Sequence, residues 1–417
     1  MTRESKTELL LPAGNIEKLQ YAIAYGADAV YLGTTDFSLR SPKSGNTITN
    51  DNLKHAVETA HQMGAKAYVT LNVFANNEIM EKMPEQIELL QEAKPDAVIF
   101  ADPGFYNTLR EKLPDVDLHI STQANVLNYE AVKFWRDMGV SRIILARELS
   151  LKEIEQISNK VPDIELEVLV HGSMCVAYSG RCLLSDYLTN NERKANLGNC
   201  YQPCRWQYKL IEQRKDQEFE ITEDQHGTYI LNPKDLALIE YIPALINAGV
   251  HSFKIEGRTK SVYYASLVAK AYKAAIRGEK PDYEELMNAG NRGFSTGFMT
   301  DKPDDNHYNY YTGKNESKSV FQGLVTDKIS SNIYKLQIKN QIKPGENVDF
   351  ITPQERINTV ITEIFDLEQQ KIEVANTNTE VLIKVEEEPE NWHWGIIRCK
   401  EKTNDKIETH VHCGACN

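Results

Sequence analysis

Eight short apolar runs, separated by stretches of helical periodicity, constrain the fold of this chain more than any other feature. They are Leu9–Leu11, Ala29–Leu32, Ala67–Leu71, Ala97–Ala101, Leu118–Ile120, Ile143–Ala146, Leu166–Val170 and Phe253–Ile255. Between them, apolar positions such as Leu53, Ala56, Val57 and Ala60 recur as one face of a helix does. Ser150 followed by Glu153 has the form of a capping box, which predicts a helix opening after the sixth strand. Gly26, Gly64, Gly139 and Gly249 each close a helical stretch two to four residues before the next strand, where a left-handed residue lets the chain turn back. Eight such units predict a closed (β/α)8 TIM-like barrel, a fold of about 250 residues plus insertions. The alternative is an open doubly wound sheet. It lacks the Gly-x-Gly-x-x-Gly expected after the first strand, where only Gly14 stands.

The barrel is expected over residues 1–300, ending with the helix Ser261–Arg277. Pro281 to Asn315 is polar and reads as a linker, with the boundary between the two domains placed at 301–318. Beyond it the texture changes to β-like runs at Val320–Val325, Tyr334–Ile338, Glu346–Ile351, Thr359–Phe365, Ile372–Val374, Leu382–Val385 and Gly395–Arg398. Seven runs with turn residues between them predict a small antiparallel barrel or sandwich over 319–400, followed by a tail at 401–417. Such a domain positions a macromolecule or serves as a structural cap.

Four of the seven cysteines fall within thirty residues, as Cys175 and Cys182 and then Cys200-Tyr-Gln-Pro-Cys204. They form a cysteine-rich insertion directly after the seventh strand. Thiolates are soft donors suited to zinc or an iron–sulfur cluster. Disulfides are disfavoured because the charged N-terminus leads into no signal segment. No apolar run approaches the ~20 residues of a membrane span, so a cytoplasmic protein without a membrane partner is expected. The net charge of −13 argues against a general nucleic-acid coat. A local basic patch (Arg181, Arg193, Lys194, Arg205, Lys209, Arg214 and Lys215) is either a grip on RNA or a solvated loop. The tail His410-Val-His-Cys413-Gly-Ala-Cys416 has zinc-ligand spacing, and Cys399 reads as a small core hydrophobe. No feature speaks to oligomeric state.

Active sites of (β/α)8 barrels lie at the carboxyl ends of the strands. The residues expected there are Asn72, Asp102, Ser121-Thr122-Gln123, Arg147-Glu148, His171, Lys254, Glu256 and Arg258, with Arg40 in the loop after strand two. Arg40, Arg147, Lys254 and Arg258 would place several cations around one mouth and favour a small dianion or a nucleotide phosphate. Thr122, Gln123 and Arg181 are further candidate substrate contacts, and Glu256 is a catalytic candidate at the end of the eighth strand. His171 either lines the site or hydrogen-bonds the loop backbone.

The segment Glu165-Leu-Glu-Val-Leu-Val-His-Gly-Ser-Met-Cys175-Val-Ala-Tyr-Ser-Gly-Arg-Cys182 resembles the signature of the collagenase-like peptidases of family U32. Leu10-Leu-Pro-Ala-Gly-Asn, Gly26-Ala-Asp-Ala-Val-Tyr-Leu-Gly33 and Phe253-Lys-Ile-Glu-Gly-Arg258 look like other parts of that family. With its β domain the chain is most similar to the members that hydroxylate the wobble uridine of tRNA in a prephenate-dependent, oxygen-independent way. The resemblance implies a [4Fe–4S] cluster on Cys175, Cys182, Cys200 and Cys204, prephenate as co-substrate and the tRNA anticodon loop as partner. From their places at the strand ends, Arg147, His171, Glu256 and Arg258 are the candidate catalytic residues. The older peptidase label and a non-catalytic RNA-binding module are the alternatives. The former finds neither Gly-x-Ser-x-Gly nor His-Glu-x-x-His in this sequence.

Overall fold

A computed structural model describes residues 7–34, 36–39, 47–175, 177–178, 181–190, 195, 200, 202–205, 223–224, 227–228, 233–300 and 317–400. It divides into two compact units that meet between Glu316 and Ser317.

The first unit is the expected barrel. Its parallel strands are β1 (Glu8–Pro12), β2 (Ala29–Gly33), β3 (Lys66–Leu71), β4 (Ala97–Phe100), β5 (Asp117–Ile120), β6 (Arg142–Ile144) and β7 (Glu165–Ser173). After β8 (Asp235–Ala237), β9 (Ser252–Ile255) pairs with both β1 and β7 and closes the ring. Ser150 accepts from the Glu153 backbone while the Glu153 carboxylate reaches back to Ser150, so the predicted capping box is present. Gly26, Gly64, Gly139 and Gly249 all take positive φ where their helices end.

Two short strands depart from the eight-strand reading. β6 stops opposite Glu167, and β8 runs antiparallel to the last three residues of β7. β10 (Phe294–Ser295) pairs with β8. Asp235 and Arg292, both buried, form the ion pair that ties these strands together, and Arg292 also donates to Ser173 Oγ at 3.3 Å. The part of the expected linker between Pro281 and Thr300 is ordered structure: the helix Tyr283–Asn288 and β10 are packed, with Leu286, Ala289 and Asn291 buried, while residues 301–316 lie outside the described residues.

Alternate residues of each strand fill the barrel interior. Leu10, Ala29, Tyr31, Tyr68, Ala97, Ile99, Ile144 and Leu169 form an apolar layer across the middle. On the amino-terminal side lies a buried ion network. Arg142 bonds Glu8, Glu165 and Glu167, and Glu167 also accepts from Lys254 Nζ at 2.9 Å. Tyr68 and Ser252 hydroxyls donate to Glu8 at 2.6 and 2.9 Å. Burial opposes ionisation of Glu8. The Arg142 charge and the hydrogen bonds from Arg142, Tyr68 and Ser252 outweigh it and hold the carboxyl below the usual carboxylate range.

The second unit is a closed antiparallel barrel of six strands, β11 (Ser319–Ser330), β12 (Ile333–Ile338), β13 (Asn347–Ile351), β14 (Arg356–Phe365), β15 (Glu380–Val385) and β16 (Ile396–Lys400). In space they run β11-β12-β15-β14-β13-β16. Alternation along β12 buries Tyr334, Leu336 and Ile338 against Phe350, Ile361 and Ile383. Closure leaves no open edge. Ile372–Val374, expected as a seventh strand, is instead a turn region flanked by single bridges at Lys371 and Ala375. Cys399 packs against this core, as expected of a small hydrophobe. No helix among the described residues is long and apolar enough to cross a membrane. The tail from His410 to Cys416 lies outside the described residues.

Candidate active site

The carboxyl ends of the barrel strands enclose a cavity of about 130 Å³. Asn72, Ser121, Thr122, Gln123, Arg147, Lys254, Glu256 and Arg258, all expected at strand ends, line it together. Cys175, Cys182 and Cys200 reach the same cavity, so the insertion after β7 does fold over the mouth. Tyr31, Leu39, Thr70, Ile99 and Leu169 from the barrel, and Ala195 from the cysteine segment, complete the wall. These went unread because they sit within or beyond strands rather than at their ends. For Tyr31 and Thr70, two-residue alternation back from the strand end was the available signal.

Arg258 is the central cation. It is 5% exposed. Its Nη2 donates to the Gly33 carbonyl at 2.8 Å and its Nη1 to the Leu39 carbonyl at 3.2 Å. Its Nε is buried without a hydrogen-bond partner. Among the described residues no carboxylate pairs with it. Burial pulls its pKa down to about 10, leaving the group cationic at neutral pH. Buried charges are ordinarily paired, so this guanidinium is prepared for an anion that the described residues do not supply. Gly33 makes the pose possible, since a methyl group there would collide with the guanidinium.

The other expected cations differ. Arg147 lines the cavity and donates from Nη1 to the Ser173 carbonyl at 3.4 Å. Lys254 also lines it, but Glu167 neutralises its ammonium, which lies 4.6 Å from the centre of the Tyr31 ring. It is therefore half of a structural ion pair rather than an open anion contact. Arg181 stacks over Phe74 at 4.7 Å and is absent from the cavity wall. Arg40 lies outside the described residues. Thr122 donates to the Leu145 carbonyl at 3.1 Å, and Asp102 caps the following turn by accepting from Gly104 and Ala75. Glu256, 8% exposed, is the only carboxylate among the lining residues and accepts from the Ser173 amide at 3.2 Å.

His171 is the main correction. The register between β7 and β9 shifts by one residue, pairing Lys254 with Leu169 but Ile255 with His171. That irregularity moves His171 out of the lumen series of Glu167 and Leu169 and onto the helix-facing side beside Ile255. There it is 1% exposed, packed among Tyr264, Tyr272 and Phe294, with Nδ1 3.3 Å from the Tyr272 hydroxyl. Burial, aided by the Lys260 charge, pushes its pKa down to about 3. An imidazole that titrates near ~6.5 when unfolded takes up a proton on unfolding across that window. Stability is then complete above about pH 6.5 and falls toward pH 3, by about 1.4 kcal/mol per pH unit. His171→Phe is expected to flatten the dependence of the urea midpoint on pH between about pH 6 and pH 4. An unchanged slope would show that the imidazole is already protonated in the fold.

The cysteines suit a soft-metal group. Cys175, Cys182, Cys200 and Cys204 are thiols rather than disulfides. The turn Pro203–Arg205, which holds Cys204, packs against the helix Leu184–Leu188 that follows Cys182. Backbone amides of Leu184 and Gln202 donate to the sulfurs two residues earlier, Cys182 at 3.4 Å and Cys200 at 3.3 Å. Such N–H···S bonds stabilise thiolate and tune clusters. Among the described residues no three His, Cys, Asp or Glu side chains converge on one ion position. The fit therefore rests on donor type and placement. In a cubane, each thiolate binds a different iron.

Comparison with known proteins accords with this arrangement. The profile of peptidase family U32 matches residues 14–309, and that of the peptidase family U32 C-terminal domain matches 317–398. A Haemophilus influenzae protein named tRNA hydroxylation protein P is 38% identical, covering 90% of this chain and 92% of the relative. Bacillus subtilis tRNA hydroxylation protein P1 is 38% identical over 89% of each chain. The 23S rRNA 5-hydroxycytidine C2501 synthase of Escherichia coli is 38% identical over 65% of this chain and 39% of its own length. With the profile spanning residues 14–309 of 417, the chain belongs to peptidase family U32.

Proposed function

We propose that this chain is a tRNA hydroxylase that converts the wobble uridine to 5-hydroxyuridine, with a [4Fe–4S] cluster and a dianionic co-substrate of the prephenate type. The observation that carries the reading is the meeting in one cavity of three cysteines and a buried arginine with no carboxylate partner among the described residues. Relatives named for tRNA hydroxylation, alike along nearly the whole chain, support the choice of substrate. Peptidase chemistry is less well served, since no histidine among the lining residues stands ready to activate a cysteine or serine.

Cys175, Cys182, Cys200 and Cys204 would hold the cluster, which when bound supplies one-electron exchange or polarisation of a bound oxygen. Arg258, assisted by Arg147, would bind and orient a carboxylate. Glu256 stands where a proton must be held or moved, positioned by the Ser173 amide. The apolar layer of Tyr31, Ile99 and Leu169 closes the cavity floor against water. A wobble base is reached in a single-stranded loop, so no duplex has to open.

Nucleoside mass spectrometry of tRNA from a deletion strain is expected to show loss of 5-hydroxyuridine and its derivatives, restored by the wild-type chain. Arg258→Met and Gly33→Ala are each expected to fail in restoration. In vitro they should weaken binding of a dicarboxylate roughly tenfold to a hundredfold, the worth of one desolvated charged contact. Unchanged tRNA on deletion, or full restoration by both variants, would remove hydroxylation or Arg258 respectively.

A further inference from the structure

The cavity of about 130 Å³ is of the order of one that holds benzene, about 150 Å³, and so cannot admit a run of nucleotides. Nucleotides flanking a target base must then lie outside it. The segment that carries Cys182 over the mouth also carries the most exposed large hydrophobic side chains among the described residues of the barrel unit. Tyr178 is 62% exposed, Leu183 70% and Tyr187 80%. Leu183 and Tyr187 are four apart on a helical turn and share a face. Tyr178 sits one turn before Arg181, whose amide bonds the Tyr178 carbonyl at 2.8 Å. Arg181 is itself stacked on Phe74, in the loop after β3. Large apolar and aromatic side chains left exposed on one short segment gain nothing from water unless a partner covers them.

Resting on the RNA reading above, we infer that Tyr178, Leu183 and Tyr187 form a stacking platform for unpaired RNA bases adjoining the base that enters the cavity. Local charge favours a polyanion over an acidic protein or a second copy of this chain. In a molecule of net charge −13, residues 176–205 carry Arg181, Arg193, Lys194 and Arg205 against Asp186 and Glu192. Stacking on tyrosine tolerates any base, while the cavity selects the target. The platform is continuous with the cavity because Cys182, between Arg181 and Leu183, lines it.

The test is fluorescence anisotropy with the full chain and a labelled anticodon stem-loop RNA at fixed salt. Tyr178→Ala and Tyr187→Ala are each expected to weaken binding about fivefold to a hundredfold, with unchanged thermal unfolding, because both side chains are solvent-exposed. Tyr187→Phe keeps the ring and should bind as the wild type does. Equal affinity of wild type and both alanine variants overturns the platform while leaving the hydroxylase reading intact. Absence of RNA binding by the wild type overturns both. Light scattering that shows a dimer lost in the alanine variants, with RNA affinity kept, assigns the surface to self-association instead.

Discussion

Purified without oxygen, the chain is expected to be brown and to hold about four irons, and Cys182→Ala or Cys200→Ala should lose most of that iron together with all hydroxylation. The expectation rests on position. Three of the cysteines line the cavity that holds Arg258, and two sulfurs accept backbone amide hydrogen bonds. Cys399 provides the internal control, because it packs on the core of the second unit. Cys399→Ala should retain full iron content and activity. Stoichiometric zinc without iron after anaerobic reconstitution would overturn the cluster and leave a structural metal. Iron lost equally in the Cys399 variant would show that the measurement reports folding rather than ligation.

Arg142→Met should destabilise the barrel by about 3–5 kcal/mol, the usual consequence of removing one partner from a buried ion pair. Arg142 faces Glu8 and Glu167 inside the barrel, where its side chain is 5% exposed and that of Glu167 fully buried. Without the guanidinium, Lys254 alone must balance two carboxylates. Denaturant midpoints of the wild type, Arg142→Met, Glu8→Gln and the double variant should show coupling of about 1 kcal/mol or more between the two sites. The Glu8 shift sets a pH signature. A depressed carboxyl contributes stability that is present above the ordinary carboxylate range near pH ~4 and lost as pH falls through its folded value. Wild type should lose that increment in acid, and Arg142→Met should already lack it. Wild-type midpoints in Arg142→Met would mean that the network is balanced without arginine.

The barrel was legible because its period is local. Each of the eight runs is bounded by a helix whose apolar face, cap or terminal glycine lies within a few residues of it, so Ser150 with Glu153 and Gly64 with Met63 announce their own geometry. Strand ends then place Thr122, Gln123, Arg147, Glu256 and Arg258 at one mouth by topology alone. The short strands β8 and β10 escaped notice. Three and two residues carry no period, and they exist only where β6 stops short of the end of β7. Glu167 was readable in principle, as a charge alternating into an otherwise apolar strand, which demands a buried partner.

The residues of β1 to β7 and β9 by themselves determined a closed parallel barrel with a cysteine segment at its catalytic end, since hydrophobic period and chain connectivity admit few other closures. Only the tertiary structure separated the expected cations of the mouth that lie among the described residues. Lys254 is neutralised by Glu167 from the neighbouring strand, Arg147 donates to the Ser173 carbonyl, and Arg258 bonds the Gly33 and Leu39 carbonyls with no carboxylate paired to it among the described residues. Only it turned His171 from the lumen to the helices, because a one-residue shift in register reverses the face that a strand residue presents. Charge pairing and register depend on residues far apart in the chain, and no local pattern records them.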